Sequence, residues 1–175
     1  KLLSIGIVLP SDEIETITLS FPDPSLYEIE SIKKVNPSCK TPETLTVSLN
    51  DCPLTITPLS DQLNEKSVKI SGVPAGRGFH WKKLIEVTLP GKIELKASDD
   101  SLMIINDVSV EQYLACVSVS EMSAECPSAF LEAQMTAARS WVLANRGKNH
   151  PNLNIDVCND DCCQRYQGMA GLSEH

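Results

Sequence analysis

The chain has 175 residues, of which 42% are hydrophobic and 22% charged, enough for one ordinary domain with a core or for two small ones. Its formal net charge of −8 argues against a protein that tracks nucleic-acid phosphates, so no nucleic-acid partner is predicted. No apolar run approaches the roughly 20 residues of a membrane-spanning helix, so no membrane span is predicted. Because the chain begins with Lys1 rather than Met, we interpret it as a mature or trimmed product.

The first hundred residues are predicted to be mainly β-strands. Apolar and polar residues alternate there in short runs, and proline and glycine residues separate these runs. The last strand of this half is predicted to end at Asn106 and Asp107. The predicted strands cover residues 3–7, 16–19, 45–49, 54–56, 68–70, 84–89, 91–95 and 102–105.

Two helices are predicted to follow. Ser109 with Gln112 three residues later is typical of a capped helix start, and the first helix is predicted over residues 110–117. Apolar residues at helical spacing predict the body of a second helix over residues 130–145. The remainder, residues 148–175, is polar and irregular. Strands followed by helices predict an α+β fold.

Three of the seven cysteines cluster near the end of the chain, at Cys158, Cys162 and Cys163, and His150 precedes them. Thiolate and imidazole groups at such spacing suit a tetrahedral zinc ion, which would be structural. A disulfide, for instance between Cys158 and Cys163, is one alternative, and buried free thiols are another. We favour zinc bound by these four residues.

Four stretches resemble the SpoIID/LytB family, the stage II sporulation protein D and its relatives. They occur in the family's order and with its spacing, and together they cover about residues 102–168. The stretches are residues 108–114 (VSVEQYL), 119–123 (VSEMS), 130–141 (FLEAQMTAARSW) and 156–168 (DVCNDDCCQRYQG).

This chain departs from the family pattern at two places. Cys162 stands where the family has a histidine, which keeps a metal-ligating residue at that position. The family's catalytic domain usually continues beyond the position of His175, so we expect either a truncated domain or a short branch of the family. Residues 76–81 (GRGFHW) resemble, less specifically, what precedes the domain in some relatives. For His80 and Trp81 we predict a packed aromatic pair in a loop, with a sugar-facing role left open.

The resemblance implies an activity and a site. The family includes lytic transglycosylases, which cleave the glycan strands of peptidoglycan and prefer strands stripped of stem peptides. It implies that Glu121, the glutamate of the E-M motif, is catalytic. It also makes Arg139, Ser140, Gln164 and Tyr166 candidate substrate-binding residues, with Arg139 orienting Glu121 or binding sugar. The implied location is the periplasm or cell envelope of an exporting cell, and the implied partner is an amidase that removes stem peptides.

The expected chemistry uses one glutamate as general acid and base, needs no cofactor, and leaves 1,6-anhydro-muramyl ends. Two alternatives stay open: a non-catalytic glycan-binding or scaffold module, and a muramidase-type hydrolase in which a second acid such as Glu125 assists Glu121. We divide the chain into a strand-rich region of unknown role, residues 1–75, and the catalytic domain, residues 76–175.

Overall fold

A computed structural model describes residues 2–31, 41–60, 66–123 and 125–169. Within these residues, strands dominate the first half and form two sheets, two α-helices follow, and the cysteine-containing end is largely irregular. The predicted α+β class is therefore confirmed.

The larger sheet has six strands and combines elements from both ends of the chain. Their order is β10-β1-β9-β8-β5-β3; β10 pairs with β1 in parallel and the other neighbours are antiparallel. Neither β3 nor β10 was predicted, and β10 has only two residues, so its pairing depends on β1. The strands are β1 (Leu2–Val8), β3 (Tyr27–Ser31), β5 (Leu54–Pro58), β8 (Lys92–Ser98), β9 (Ser101–Ser109) and β10 (Val157–Cys158).

The smaller sheet has four antiparallel strands in the order β4-β2-β6-β7. The predicted boundary between residues 75 and 76 falls between two of these strands, which pair with each other. That division of the chain remains a prediction. The strands are β2 (Thr16–Ser20), β4 (Thr44–Ser48), β6 (Val68–Ala75) and β7 (Lys83–Leu89).

The two helices are α1 (Val110–Glu121) and α2 (Ser128–Asn145). The predicted start of α1 is confirmed: the Gln112 backbone N–H donates to Ser109 Oγ at 3.2 Å, and Gln112 Oε1 accepts from the Ser109 N–H at 3.0 Å. α1 runs about one turn beyond its predicted end and stops where Met122 becomes extended. In the described part of the chain, neither helix combines the length and apolar character needed to cross a membrane.

β9 continues through its predicted end because Asn106 and Asp107 both keep ladder partners in β1 and β8. The Asn106 side chain is completely buried, and both its amide nitrogen and its amide oxygen have hydrogen-bond partners. Its Nδ2 donates to the carbonyl oxygens of Pro90 (2.6 Å) and Lys92 (3.0 Å), and its Oδ1 accepts from the Tyr166 hydroxyl (2.7 Å). Because these hydrogen bonds offset the cost of removing the amide from water, Asn106 can remain buried within the strand.

Gly168 joins the C-terminal segment to β7. Its φ is +66°, and a Cβ there would lie 1.9 Å from the carbonyl oxygen of Thr88, which accepts the Met169 N–H at 2.7 Å. Gly168→Ala should therefore lower the free energy of unfolding by about 2 to 3 kcal/mol, measured by urea denaturation. Gly147→Ala is the matched control, since φ is +72° there but no atom lies within 4 Å. It should cost about 1 kcal/mol, and equal losses at both positions would contradict the contact argument.

Candidate functional site

Glu121 is the last residue of α1, and its side chain is partly exposed. Gln134 of α2 donates from Nε2 to Glu121 Oε2 at 2.7 Å, and the backbone N–H of Arg165 donates to Glu121 Oε1 at 3.2 Å. Each carboxyl oxygen therefore has its own donor, one from a helix and one from the C-terminal segment. Three of the four family-like stretches meet at this one carboxyl group.

The C-terminal segment has a second attachment to the end of α1. Ser120 Oγ accepts the backbone N–H of Gln167 at 3.0 Å and donates to the carbonyl oxygen of Cys116 at 2.7 Å. The neighbouring residue Tyr166 stacks on Tyr113 of α1 with ring centroids 5.5 Å apart. These contacts hold the Arg165 amide beside Glu121.

Arg139 does not orient Glu121. Its guanidinium pairs with Glu111 of α1, with Nη1–Oε1 and Nη2–Oε2 distances of 2.7 and 2.6 Å. Ser140 is exposed, and its hydroxyl donates to the Thr136 carbonyl within α2. Gln134, another polar residue of the same helix, makes the contact with Glu121 that the sequence predicts for Arg139. Helical periodicity identifies polar positions but does not say which of them faces a neighbouring element.

Gln164 and Tyr166 lie in the core and not on a substrate-facing surface. Gln164 is 7% exposed and accepts from the Tyr113 hydroxyl at 3.0 Å, while Tyr166 is fully buried and donates to Asn106. Burial raises the pKa values of Tyr113 and Tyr166, which keeps both hydroxyls neutral. In this structure both side chains support the segment that carries Arg165, and their contacts with a substrate stay a prediction.

Arg77 connects three parts of the chain. Its guanidinium makes a two-point ion pair with Asp12, with Nε–Oδ1 and Nη2–Oδ2 distances of 2.7 Å, and donates to Asn159 Oδ1 at 2.7 Å. Asp160, 3% exposed, accepts the backbone N–H groups of Gly76 (3.0 Å) and Arg77 (2.6 Å). The loop after β6 is thereby fixed to the loop that carries the cysteines.

The predicted cysteine and histidine cluster forms. The ligand atoms of His150, Cys158, Cys162 and Cys163 all lie within 4.8 Å of one another, so the group could hold a metal ion. Cys158 Sγ lies 3.1 Å from Cys162 Sγ, which in turn lies 3.7 Å from His150 Nε2. The three cysteines are free in this structure, and the predicted alternative of a Cys158–Cys163 disulfide is not formed.

The donor set of this cluster fits zinc. Three sulfurs and one imidazole nitrogen make a Cys₃His set, which is a common structural zinc arrangement. Hydrogen bonds from Cys158 and Cys162 lower the pKa of the Cys163 thiol, whereas the pKa values of Cys158 and Cys162 are raised. The cluster therefore favours one thiolate without a metal, and a bound metal ion would have to displace the protons of the other two thiols. Asn149 Nδ2 also donates to Cys163 Sγ at 3.5 Å. Asn149 therefore supports the cluster from outside the ligand set, as supporting groups of metal sites commonly do.

The fold and this geometry define an α+β protein in which α2 and the C-terminal segment hold the carboxyl group of Glu121, and in which a cysteine and histidine cluster could hold a metal. Comparison with known families agrees with the motifs: residues 98–175 match the SpoIID family, described as "Stage II sporulation protein". This match covers the C-terminal part of the chain, less than half of its length, and indicates similarity to a family with a cell-wall-related role.

A curated protein of Brachyspira hyodysenteriae, described as uncharacterized, is 34% identical over 75 residues. The aligned stretch covers 43% of this chain and only 20% of that protein. No solved structure matches the chain.

Sequence reasoning missed two groups at the site. Gln134 lies inside the family-like stretch of α2, so the motif itself was the signal that could have found it. Arg165 acts through its backbone N–H, which no pattern of side chains reveals.

Proposed function

We propose that the chain is a lytic transglycosylase that cleaves the glycan strands of peptidoglycan with Glu121 as its general acid and base. The observation that carries this proposal is the partly exposed Glu121 carboxyl, whose two oxygens are held by Gln134 and by the Arg165 amide. Two donors from different elements restrict the rotation of the carboxyl group. Such positioning is what proton transfer to a bound substrate requires.

The reaction needs one carboxyl group. Protonated Glu121 gives its proton to the glycosidic oxygen while the bond from that oxygen to C1 breaks, and the leaving sugar departs as an alcohol. The hydroxyl on C6 of the remaining sugar bonds to C1 and returns its proton to the Glu121 carboxylate. The enzyme is regenerated, no water is consumed, and the product ends in a 1,6-anhydro ring. The transition state resembles an oxocarbenium ion, as in other glycosidic cleavages.

The acids nearest to Glu121 in sequence do not favour a two-carboxylate hydrolase. Both carboxyl oxygens of Glu111 accept hydrogen bonds from the Arg139 guanidinium. Glu125 is exposed, and its backbone N–H donates to Ser123 Oγ at 3.2 Å. The one-carboxylate mechanism is therefore the one we propose.

The substrate class can be tested with purified glycan strands. Denuded strands and strands that retain stem peptides would each be incubated with the chain, and strand length followed by size-exclusion chromatography. The proposal predicts that denuded strands shorten and that peptide-bearing strands shorten more slowly. If neither substrate shortens while both bind, the chain is a glycan-binding module instead. This substrate would place the protein in the cell envelope, where an amidase that strips stem peptides would supply it.

We further propose that His150, Cys158, Cys162 and Cys163 hold a structural zinc ion. When bound, the ion would cross-link the loop before β10 to the loop after it, and the cleavage chemistry above would not pass through it. Protein purified with zinc supplied should contain about one zinc per chain, measured by elemental mass spectrometry.

The matched variants for the zinc test are Cys158→Ser and Cys126→Ser. Cys126 is a partly exposed free thiol outside the cluster, so its variant should keep the metal. Cys158→Ser should lose most of the metal, and a chelator should lower the thermal midpoint of the parent protein but not that of Cys158→Ser. Metal-free parent protein, or equal zinc content in the two variants, would refute the site.

A further inference from the structure

We propose that Phe79 and Trp81, the aromatic shelf, form a stacking surface for one sugar ring of the glycan strand beside Glu121. This inference rests on the proposed function, because it takes the glycan as the ligand. The two rings stack on each other with centroids 5.7 Å apart and planes 22° apart. The predicted aromatic pair in this loop therefore exists, but Phe79, and not His80, is the partner of Trp81.

The shelf lies on the surface although it is strongly apolar. Phe79 is 49% exposed, which leaves about half of a large apolar side chain in water. Leaving such area in water costs free energy that burial against a ligand recovers. A sugar ring presents a face of C–H groups that packs on an aromatic ring, while its hydroxyls remain at the edge for polar partners.

The loop that carries the shelf is built to hold these rings in place. Gly76 has φ of +74°, and a Cβ there would lie 2.6 Å from the Trp81 ring, so glycine lets the indole pack directly on the backbone. Two turn hydrogen bonds follow: Phe79 N–H to the Gly76 carbonyl at 3.0 Å, and Lys82 N–H to the Phe79 carbonyl at 3.2 Å. Asp160 anchors the start of the same loop through the Gly76 N–H. A surface held this firmly loses little conformational entropy when a ligand binds.

One residue connects the shelf to the catalytic carboxyl. The Arg165 guanidinium carbon lies 5.5 Å from the centroid of the Trp81 ring, a cation–π contact, while the backbone N–H of the same residue donates to Glu121. Arg165 alone therefore links the two, with its backbone N–H at Glu121 and its guanidinium at the Trp81 ring. A glycan strand is a linear polymer, so a sugar on the shelf and a scissile bond at Glu121 can belong to the same strand.

Polar groups at the edge of the shelf suit the rest of the sugar. The Arg165 side chain is 40% exposed and pairs with Asp161 at 3.3 Å. A guanidinium and a carboxylate in that position can donate to and accept from hydroxyl and N-acetyl groups. An apolar ring flanked by a few polar groups is typical of a small-molecule or sugar subsite.

The test uses a background that binds without cutting. Glu121→Gln protein and the double variant Glu121→Gln/Phe79→Ala would be titrated with denuded glycan strands by isothermal calorimetry. Loss of the ring should weaken binding about tenfold, and Phe79→Tyr, which keeps the ring, should stay within about twofold of the parent. Far-UV circular dichroism checks that each variant is folded.

Leu143→Ala in the same background is the matched control. Leu143 is 52% exposed, and it lies nine residues after Gln134, which places it on the opposite side of α2. Its substitution should leave binding unchanged. The shelf is refuted if Phe79→Ala binds as the parent does, if Leu143→Ala weakens binding equally, or if the parent fails to bind glycan. The proposed function is judged separately by whether the wild-type chain cuts the strands, so the two can fail independently.

Discussion

Glu121→Gln should reduce the rate of glycan cleavage about 1,000-fold while leaving the fold intact. Glutamine has nearly the same shape as glutamate and can still accept a hydrogen bond at its amide oxygen. Its amide group cannot deliver a proton to the glycosidic oxygen or take one from the C6 hydroxyl. The measurement is the initial rate of strand shortening on denuded glycan, with the thermal midpoint recorded for each protein.

Glu111→Gln is the control for this experiment, because it makes the same chemical change on the same helix. Glu111 is exposed and pairs with Arg139, away from Gln134 and the Arg165 amide. Its rate should remain close to that of the wild type. Equal losses in the two variants, or full activity in Glu121→Gln, would contradict the assignment of the acid and base.

Arg77→Ala should lower the free energy of unfolding by about 3 to 5 kcal/mol, because it leaves two buried carboxylates without their cation. The Asp12 and Asp160 side chains are only 2% and 4% exposed, and both face Arg77. Burial alone would lower the pKa of Arg77, but the hydrogen bond and charge of Asp12 and the charge of Asp160 raise it, so the guanidinium stays charged. Urea denaturation measures the change.

Arg139→Ala provides the comparison for Arg77→Ala. Its ion pair with Glu111 is exposed, with side-chain exposures of 41% and 70%, so water screens it and its removal should leave stability nearly unchanged. A loss for Arg139→Ala as large as that for Arg77→Ala would contradict the view that burial makes the Arg77 network important. We also expect Arg77→Ala to disturb the loop that carries Phe79 and Trp81. Asp160 pairs with the Arg77 guanidinium and also accepts the backbone N–H groups of Gly76 and Arg77 at the start of that loop.

Local signals in the sequence predicted the helices well. The Ser109 and Gln112 pair marks the start of α1 because capping depends on residues three positions apart. The alternation of apolar residues likewise located most strands. β10 could not be found in this way, since Val157 and Cys158 form a strand only by pairing with Ile5 and Gly6. A two-residue strand has no period of its own.

Some features of the candidate site could likewise be predicted from the sequence, and others could not. The cysteine and histidine cluster was predictable because its cysteines are near one another in sequence and their side-chain chemistry is specific. The partners of Glu121 were not, because they lie 13 and 44 positions away and one of them is a backbone amide. The burial of Tyr166 was not predictable, because an aromatic residue in a motif can pack in a core or contact a ligand. Only the three-dimensional packing distinguishes these roles.

The most direct test of the central claim is the mass spectrum of the products formed from denuded glycan in heavy-oxygen water. Wild-type protein and Glu121→Gln would be incubated in parallel. The account predicts 1,6-anhydro ends without the heavy isotope for the wild type, and no such ends for the variant. Reducing ends that carry heavy oxygen would identify a hydrolase, and cleavage that persists in Glu121→Gln would show that another residue performs the chemistry.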